Sequence, residues 1–144
     1  MATKIIANDP IIDSATDEKL NTPAKGYAQQ LLPGLQIVNS GDLVPLTPAL
    51  AARDFCKLVI GVAKNATWNY HSDLKTTDRI IRAARKAHRQ PEGPDAHFKI
   101  DDGDWDWLTK KIEEHGALVF GVNTAAVREA LDKVIAPEKK EAAA

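Results

Sequence analysis

The residues best placed to do chemistry in this chain are charged and close together. Between residues 74 and 89 stand Lys75, Arg79, Arg82, Arg85, Lys86 and Arg89, with Asp78 the only acid. On a helix, the three- and four-residue spacing of Arg79, Arg82, Lys86 and Arg89 places them along one line. Such a row suits an anionic partner, either phosphate or the carboxylates of a protein. The plain alternative is a solvated face, because Arg and Lys form helices well and cover the wet side of a helix whose apolar stripe is narrow. A helix-turn-helix is not indicated, since the connector 65–73 is longer than that motif's tight turn. With a net charge of −1 and a pI near 6.4, the chain as a whole is not drawn to nucleic acid or to anionic membranes. Any such contact must be local.

A second run, Asp101-Asp102-Gly103-Asp104-Trp105-Asp106-Trp107, places Asp102, Asp104, Asp106 and Glu113 at positions 1, 3, 5 and 12 of a calcium loop. Its sixth position, which needs Gly for the sharp turn, is Trp107, and Trp105, Leu108 and Ile112 repeat with a helical period. Acids favour a helix N-terminus without any metal, so capping is the preferred reading and no metal is expected. His71, His88, His97 and His115 show neither HExxH nor paired metal spacing. Cys56, the single cysteine, falls on an apolar helical face and reads as a small core residue in a reducing compartment. No nucleophile elbow, Walker-type loop or dinucleotide fingerprint is present. The expectation is a binding protein with no cofactor, and not an enzyme.

These side chains need elements to hold them, and the pattern predicts a mainly α fold with four helices, at about 48–64, 74–89, 104–115 and 124–135. Thr47 caps the first, with Pro48 at its opening position. Ala51, Phe55, Leu58, Val59 and Val62 form its apolar face, making it the centre of the core. Ser72 or Asp73 caps the second, whose narrow stripe is Leu74, Thr77, Ile81, Ala84 and His88, with Ile80 and Ala87 beside it. Trp105, Leu108 and Ile112 point inward from the third, while Trp107 turns partly away, toward the Trp68–Tyr70 stretch or a partner. Gly116 is the expected left-handed stop. Asn123 or Thr124 caps the fourth. Residues 98–100 alternate as a brief strand, and 117–122 is either a short strand that pairs with it or a buried connector.

Residues 1–46 differ in kind. Short apolar pieces are broken by Pro10, Pro23, Pro33-Gly34 and Pro45, so no helical period survives. The expected organisation is an extended arm over 1–46, a helical domain over 47–136 and a flexible tail over 137–144. Disordered tails carry few aliphatic residues, which favours an arm ordered by partners through Ile5, Ile6, Ile11, Ile12, Leu31, Leu32, Leu35 and Ile37. A flexible tail without a role is the alternative. No segment approaches the ~20 apolar residues of a membrane span, and the start lacks a signal-peptide pattern. A cytoplasmic location in the producing cell is expected, or a virion.

Residues 73–135 resemble small bacteriophage or prophage proteins of poorly defined role. The resemblance rests on a basic helix (TTDRIIRAARKAH), a short apolar piece (FKI), an acidic cap with its helix (DWDWLTKKI) and a buried turn (ALVFGVNTAAVREALD). It implies a phage origin, and together with the aliphatic pairs of the arm the expectation is a phage structural or assembly protein that binds other proteins within a larger assembly or homo-oligomer, its N-terminal arm reaching neighbouring subunits. The alternative is a small regulator or inhibitor that binds a host protein or nucleic acid through the basic helix.

Overall fold

The computed structural model describes residues 3–23, 43–89 and 97–135. Its main elements are helices α1 (Pro48–Val62), α2 (Lys75–Arg89), α3 (Asp102–His115) and α5 (Thr124–Leu131), with a single turn, α4 (Ala117–Phe120), between the last two. The fold is mainly α, as the periodicity predicts. Strands β1 (Thr3–Ile6), β4 (Phe98–Asp101) and β5 (Val134–Ile135) form a three-stranded sheet in the order β4-β1-β5, and β2 (Asn21–Pro23) pairs with β3 (Leu43–Pro45).

Helix α1 is the centre. The Leu50 N–H donates to Thr47 Oγ1 at 3.3 Å and Pro48 opens the helix, so the predicted cap is present. Burial runs almost all the way round its first three turns, from Pro48 to Cys56, with Val59 beyond. That wrap leaves two charges inside the protein. Arg53 and Asp54 are both buried and joined at 3.0 Å (Nε to Oδ1) and 2.9 Å (Nη2 to Oδ1), and the Thr22 hydroxyl donates to Asp54 Oδ2 at 2.5 Å. Burial pushes the Asp54 carboxyl above its ordinary value, against the pull of Arg53 and the Thr22 hydrogen bond.

Residues 3–23 belong to this fold, which corrects the arm boundary for that stretch. Strand β1 lies in the middle of the sheet, antiparallel to both neighbours, with Ile6 opposite Phe98 on one side and Val134 on the other. Its β-branched Thr-Lys-Ile-Ile sequence suits a strand. Ile6 and Ile11 are buried in the same core as Phe55 and Ile112, so they are not free for a partner. Backbone hydrogen bonds carry the chain along the domain, from the Ile11 N–H to the Leu46 carbonyl and from the Leu46 N–H to the Leu20 carbonyl. The Asn123 side chain, expected to cap a helix, instead accepts from the Ser14 N–H at 3.0 Å. Leu31, Leu32, Leu35 and Ile37, and the tail from 136, lie outside the described residues.

Two further expectations are corrected. The 98–100 strand exists, but its partner is β1, while 117–120 is helical: the Phe120 N–H donates to the Gly116 carbonyl at 2.7 Å. Gly116 has right-handed helical angles (φ −58°, ψ −32°) and is not a left-handed stop. What it supplies is closeness, because a Cβ there would meet the Thr124 methyl at 2.6 Å and the Ile112 carbonyl oxygen. The left-handed position is Gly121 (φ 59°), which ends α4. The last helix stops at Leu131 because Val134 and Ile135 are taken by β1.

Candidate functional site

Helix α2 is set by a single π-helical turn, Tyr70–Leu74, at its start. The Asn69 side chain accepts from the His71 and Ser72 N–H groups at 2.9 and 3.1 Å, and the Asp73 carboxylate accepts from the Asn69 N–H at 2.7 Å. This reciprocal arrangement satisfies donors that a helix start leaves free. It replaces the expected Ser72 or Asp73 cap with Asn69. Trp107 completes the lock, its indole N–H donating to the other Asp73 oxygen at 2.9 Å. Burial opposes ionisation of Asp73, yet the Asn69 N–H, the Trp107 N–H and nearby Lys111 together hold its carboxyl below the ordinary value.

The buried side of α2 is Thr76, Thr77, Ile80, Ala84 and Ala87, a rotation of about one residue from the predicted stripe, with Ile81 only half buried. The thin stripe is served by its threonines: their hydroxyls donate to the Ser72 and Leu74 carbonyls, so the polar atoms sit against the core satisfied. With that face inward, Lys75, Arg79, Arg82, Arg85 and Lys86 all stand on the outer face. The side chain of Arg89 lies outside the described residues.

The cations are not equivalent. Arg79 forks onto Asp104 at the start of α3, with Nε at 3.1 Å and Nη2 at 2.9 Å from its two oxygens, and also reaches Thr76 Oγ1 at 3.0 Å. The Asp104 hydrogen bond raises the Arg79 guanidinium further above its ordinary value, so this charge is fixed and half-spent on structure. Arg82 pairs with Asp78 on the surface at 2.9 Å, an exposed contact of small energy. Lys75 lies 5.9 Å from the exposed Tyr70 ring. Arg85 and Lys86 are exposed and have no ion pair among the described residues. Of the predicted row, Arg82 and Lys86 are presented outward, Arg79 doubles as a brace, and Lys75 and Arg85 widen the patch beyond what the four-residue row indicates. Their signal in the sequence was charge alone.

Three acids of this stretch are spent on partners within the chain. Helix α3 already begins at Asp102, so the carboxylates diverge around a helix: Asp102 meets Lys4 at 3.4 Å, Asp104 meets Arg79, and Glu113 meets Arg128 at 2.8 Å. Among the described residues no group of three His, Cys, Asp or Glu side chains is placed to hold a metal ion. Trp105 is half-buried; its N–H donates to the Leu131 carbonyl at 2.9 Å while Lys4 and Arg128 lie over its ring. Cys56 is buried, which pushes its thiol far up and leaves it inert. Of the aliphatic residues expected to meet a partner, Ile5 is half-buried in β1 and Ile12 remains 42% exposed.

Surface hollows among the described residues also lie away from α2. One, of about 300 Å³, is lined by Asp9, Asp13, Asp17 and Glu129 among others, with Lys133 its one cation. Another, of about 650 Å³, runs past Lys64, Lys111 and His115, where Lys111 and His115 pack on Trp68. No family model, no curated protein and no solved structure matches this chain. Among the described residues, no helix is long and apolar enough to cross a membrane.

Proposed function

We propose that this chain is an assembly protein that acts by binding, and that the outer face of α2 is its contact surface for an acidic face of another protein. The observation that carries the reading is the charge imbalance. Residues 75–89 hold six cations against one acid, a net +5 in a chain of net −1, so all the remaining residues together carry −6. A surface so concentrated raises the encounter rate with an oppositely charged face and fixes its orientation. The phage setting comes from the resemblance of residues 73–135; the reach of an arm through Ile6 and Ile11 is not retained, because both are core residues.

A protein partner is favoured over nucleic acid by what flanks the patch. Arg79 is bound to Asp104, and Asp101 and Asp106 stand at the same end of α3. A long phosphate backbone is uniformly negative and meets that acidic flank as repulsion. A protein surface offers a bounded acidic spot.

The test compares the native chain with the triple variant Arg82→Gln, Arg85→Gln, Lys86→Gln. Fluorescence anisotropy follows a labelled glutamate-rich peptide and a labelled DNA duplex at about 150 mM salt, where exposed charges beyond about 8 Å are screened. The reading expects the peptide to bind the native chain and to bind the variant at least about tenfold more weakly, the loss of roughly 1.4 kcal/mol. Tighter binding of the duplex would replace it with the nucleic-acid reading, and equal peptide binding by both proteins would remove α2 as the surface.

A further inference from the structure

The geometry points to a second copy of this chain as a partner for α2: the basic face of one copy docks in the acidic hollow of the next, giving head-to-tail association. This rests on the reading of α2 as a binding surface and names what it binds. The hollow lies between the 7–17 segment, the start of α1 and α5, and its carboxylates are Asp9, Asp13, Asp17 and Glu129. None of the four has an ion pair among the described residues, although the same protein pairs Asp54, Asp78, Asp104 and Glu113. Arg85 and Lys86 on α2 are likewise exposed and unpaired among the described residues. One chain therefore carries a surplus of each sign on separate faces: α2 packs on α1, β4 and α3, whereas the hollow is framed by other elements and the first residue of α1.

Shape agrees with charge. A hollow of about 300 Å³ admits side chains and not a helix, and the tips of Arg82, Arg85 and Lys86 are long enough to enter it from a helix lying across its mouth. Because the two surfaces differ, the contact is heterologous, and repeated copies build a ring or a filament instead of stopping at a two-fold dimer. That mode of growth suits an assembly protein.

The experiment uses the full chain and two folded variants. In the first, Arg82→Glu, Arg85→Glu and Lys86→Glu reverse the helix face. In the second, Asp9→Lys, Asp17→Asn and Glu129→Lys reverse the hollow; Asn is used at position 17 because Asp17 has φ 65°, which Asn tolerates. Sedimentation velocity should show the native chain associating beyond a dimer at about 50 mM salt and dissociating at about 500 mM, with at least a tenfold weakening, because the Debye length falls from about 14 to about 4 Å. Each variant alone should be monomeric. Mixed together they should associate again in alternation, since the first keeps its acidic hollow for the second's basic helix and the two reversed faces are likewise of opposite charge. A native chain that stays monomeric at low salt, a variant that still self-associates, or a mixture that does not associate overturns the inference. If the glutamate-rich peptide still binds α2 in that event, the binding surface stands and only its partner changes. Circular dichroism on each variant separates a lost contact from a lost fold.

Discussion

Replacing Ile6 with Ala tests whether residues 3–23 are part of the folded unit. Ile6 is fully buried in the central strand of the sheet, opposite the equally buried Phe98. The substitution removes three carbon groups, each worth about 0.8 kcal/mol in transfer, or about 2.5 kcal/mol together. The cavity left in a packed core adds about 1 kcal/mol, for a total near 3.5 kcal/mol. With a urea slope of about 2 kcal/mol per molar, the unfolding midpoint should fall by about 1.7 M. Ile12 supplies an internal control, because it sits in the same segment but is 42% exposed. Ile12→Ala leaves no closed cavity and should cost about 1 kcal/mol, a midpoint shift near 0.5 M. Urea unfolding followed by tryptophan fluorescence reads both. If Ile6→Ala shifts the midpoint by no more than Ile12→Ala, β1 is not in the core and the reasoning fails.

Three other outcomes follow from named contacts. Asp54 has its carboxyl raised by burial, so between the unfolded value and the raised folded value the native state binds the proton more tightly. Its contribution is therefore fully present below the unfolded value and is lost as pH rises through the folded one. The stability difference between native and Asp54→Asn protein, measured by urea titrations from pH 4 upward, should shrink as pH rises; a constant difference refutes it. Trp107→Phe deletes the indole donor to Asp73 and should cost about 1–2 kcal/mol near neutral pH. Because the Asp73 carboxyl is held below its ordinary value, that cost should be present above the unfolded value and disappear as pH falls through the folded one. Cys56 should resist a thiol reagent in native buffer and react at once in urea; labelling as fast as in the unfolded chain would contradict its burial.

Local signals in the sequence were legible and distant ones were not. Thr47-Pro48 set the start of α1, and the period of Trp105, Leu108 and Ile112 located α3, because capping and helical repeat are decided within a few residues. Strand β1 left no such mark. It has four residues, too few for an alternation to declare itself, and its partners β4 and β5 lie far along the chain, at Phe98–Asp101 and Val134–Ile135. Without that pairing, the aliphatic pair Ile5-Ile6 reads as unsatisfied and the helix beginning at Thr124 reads on through Ile135. The basic face is readable because charge is a property of residues, while the distinction between the braced Arg79 and Arg85, which has no ion pair among the described residues, depends on where Asp104 folds. The buried Arg53-Asp54 pair is hidden in the sequence, because adjacent helical residues point about 100° apart and are both buried only where the helix is enclosed.

The claim that α2 is the contact surface is tested most directly in the producing cell. A photo-crosslinking amino acid placed singly at Arg85 or Lys86, and at the exposed Lys110 on α3 as a control, reports what each position touches. The account predicts crosslinks from positions 85 and 86 to a protein, at acidic residues of its surface, with far weaker capture from position 110. Crosslinks from α2 to nucleic acid, or equal capture from position 110, would contradict it.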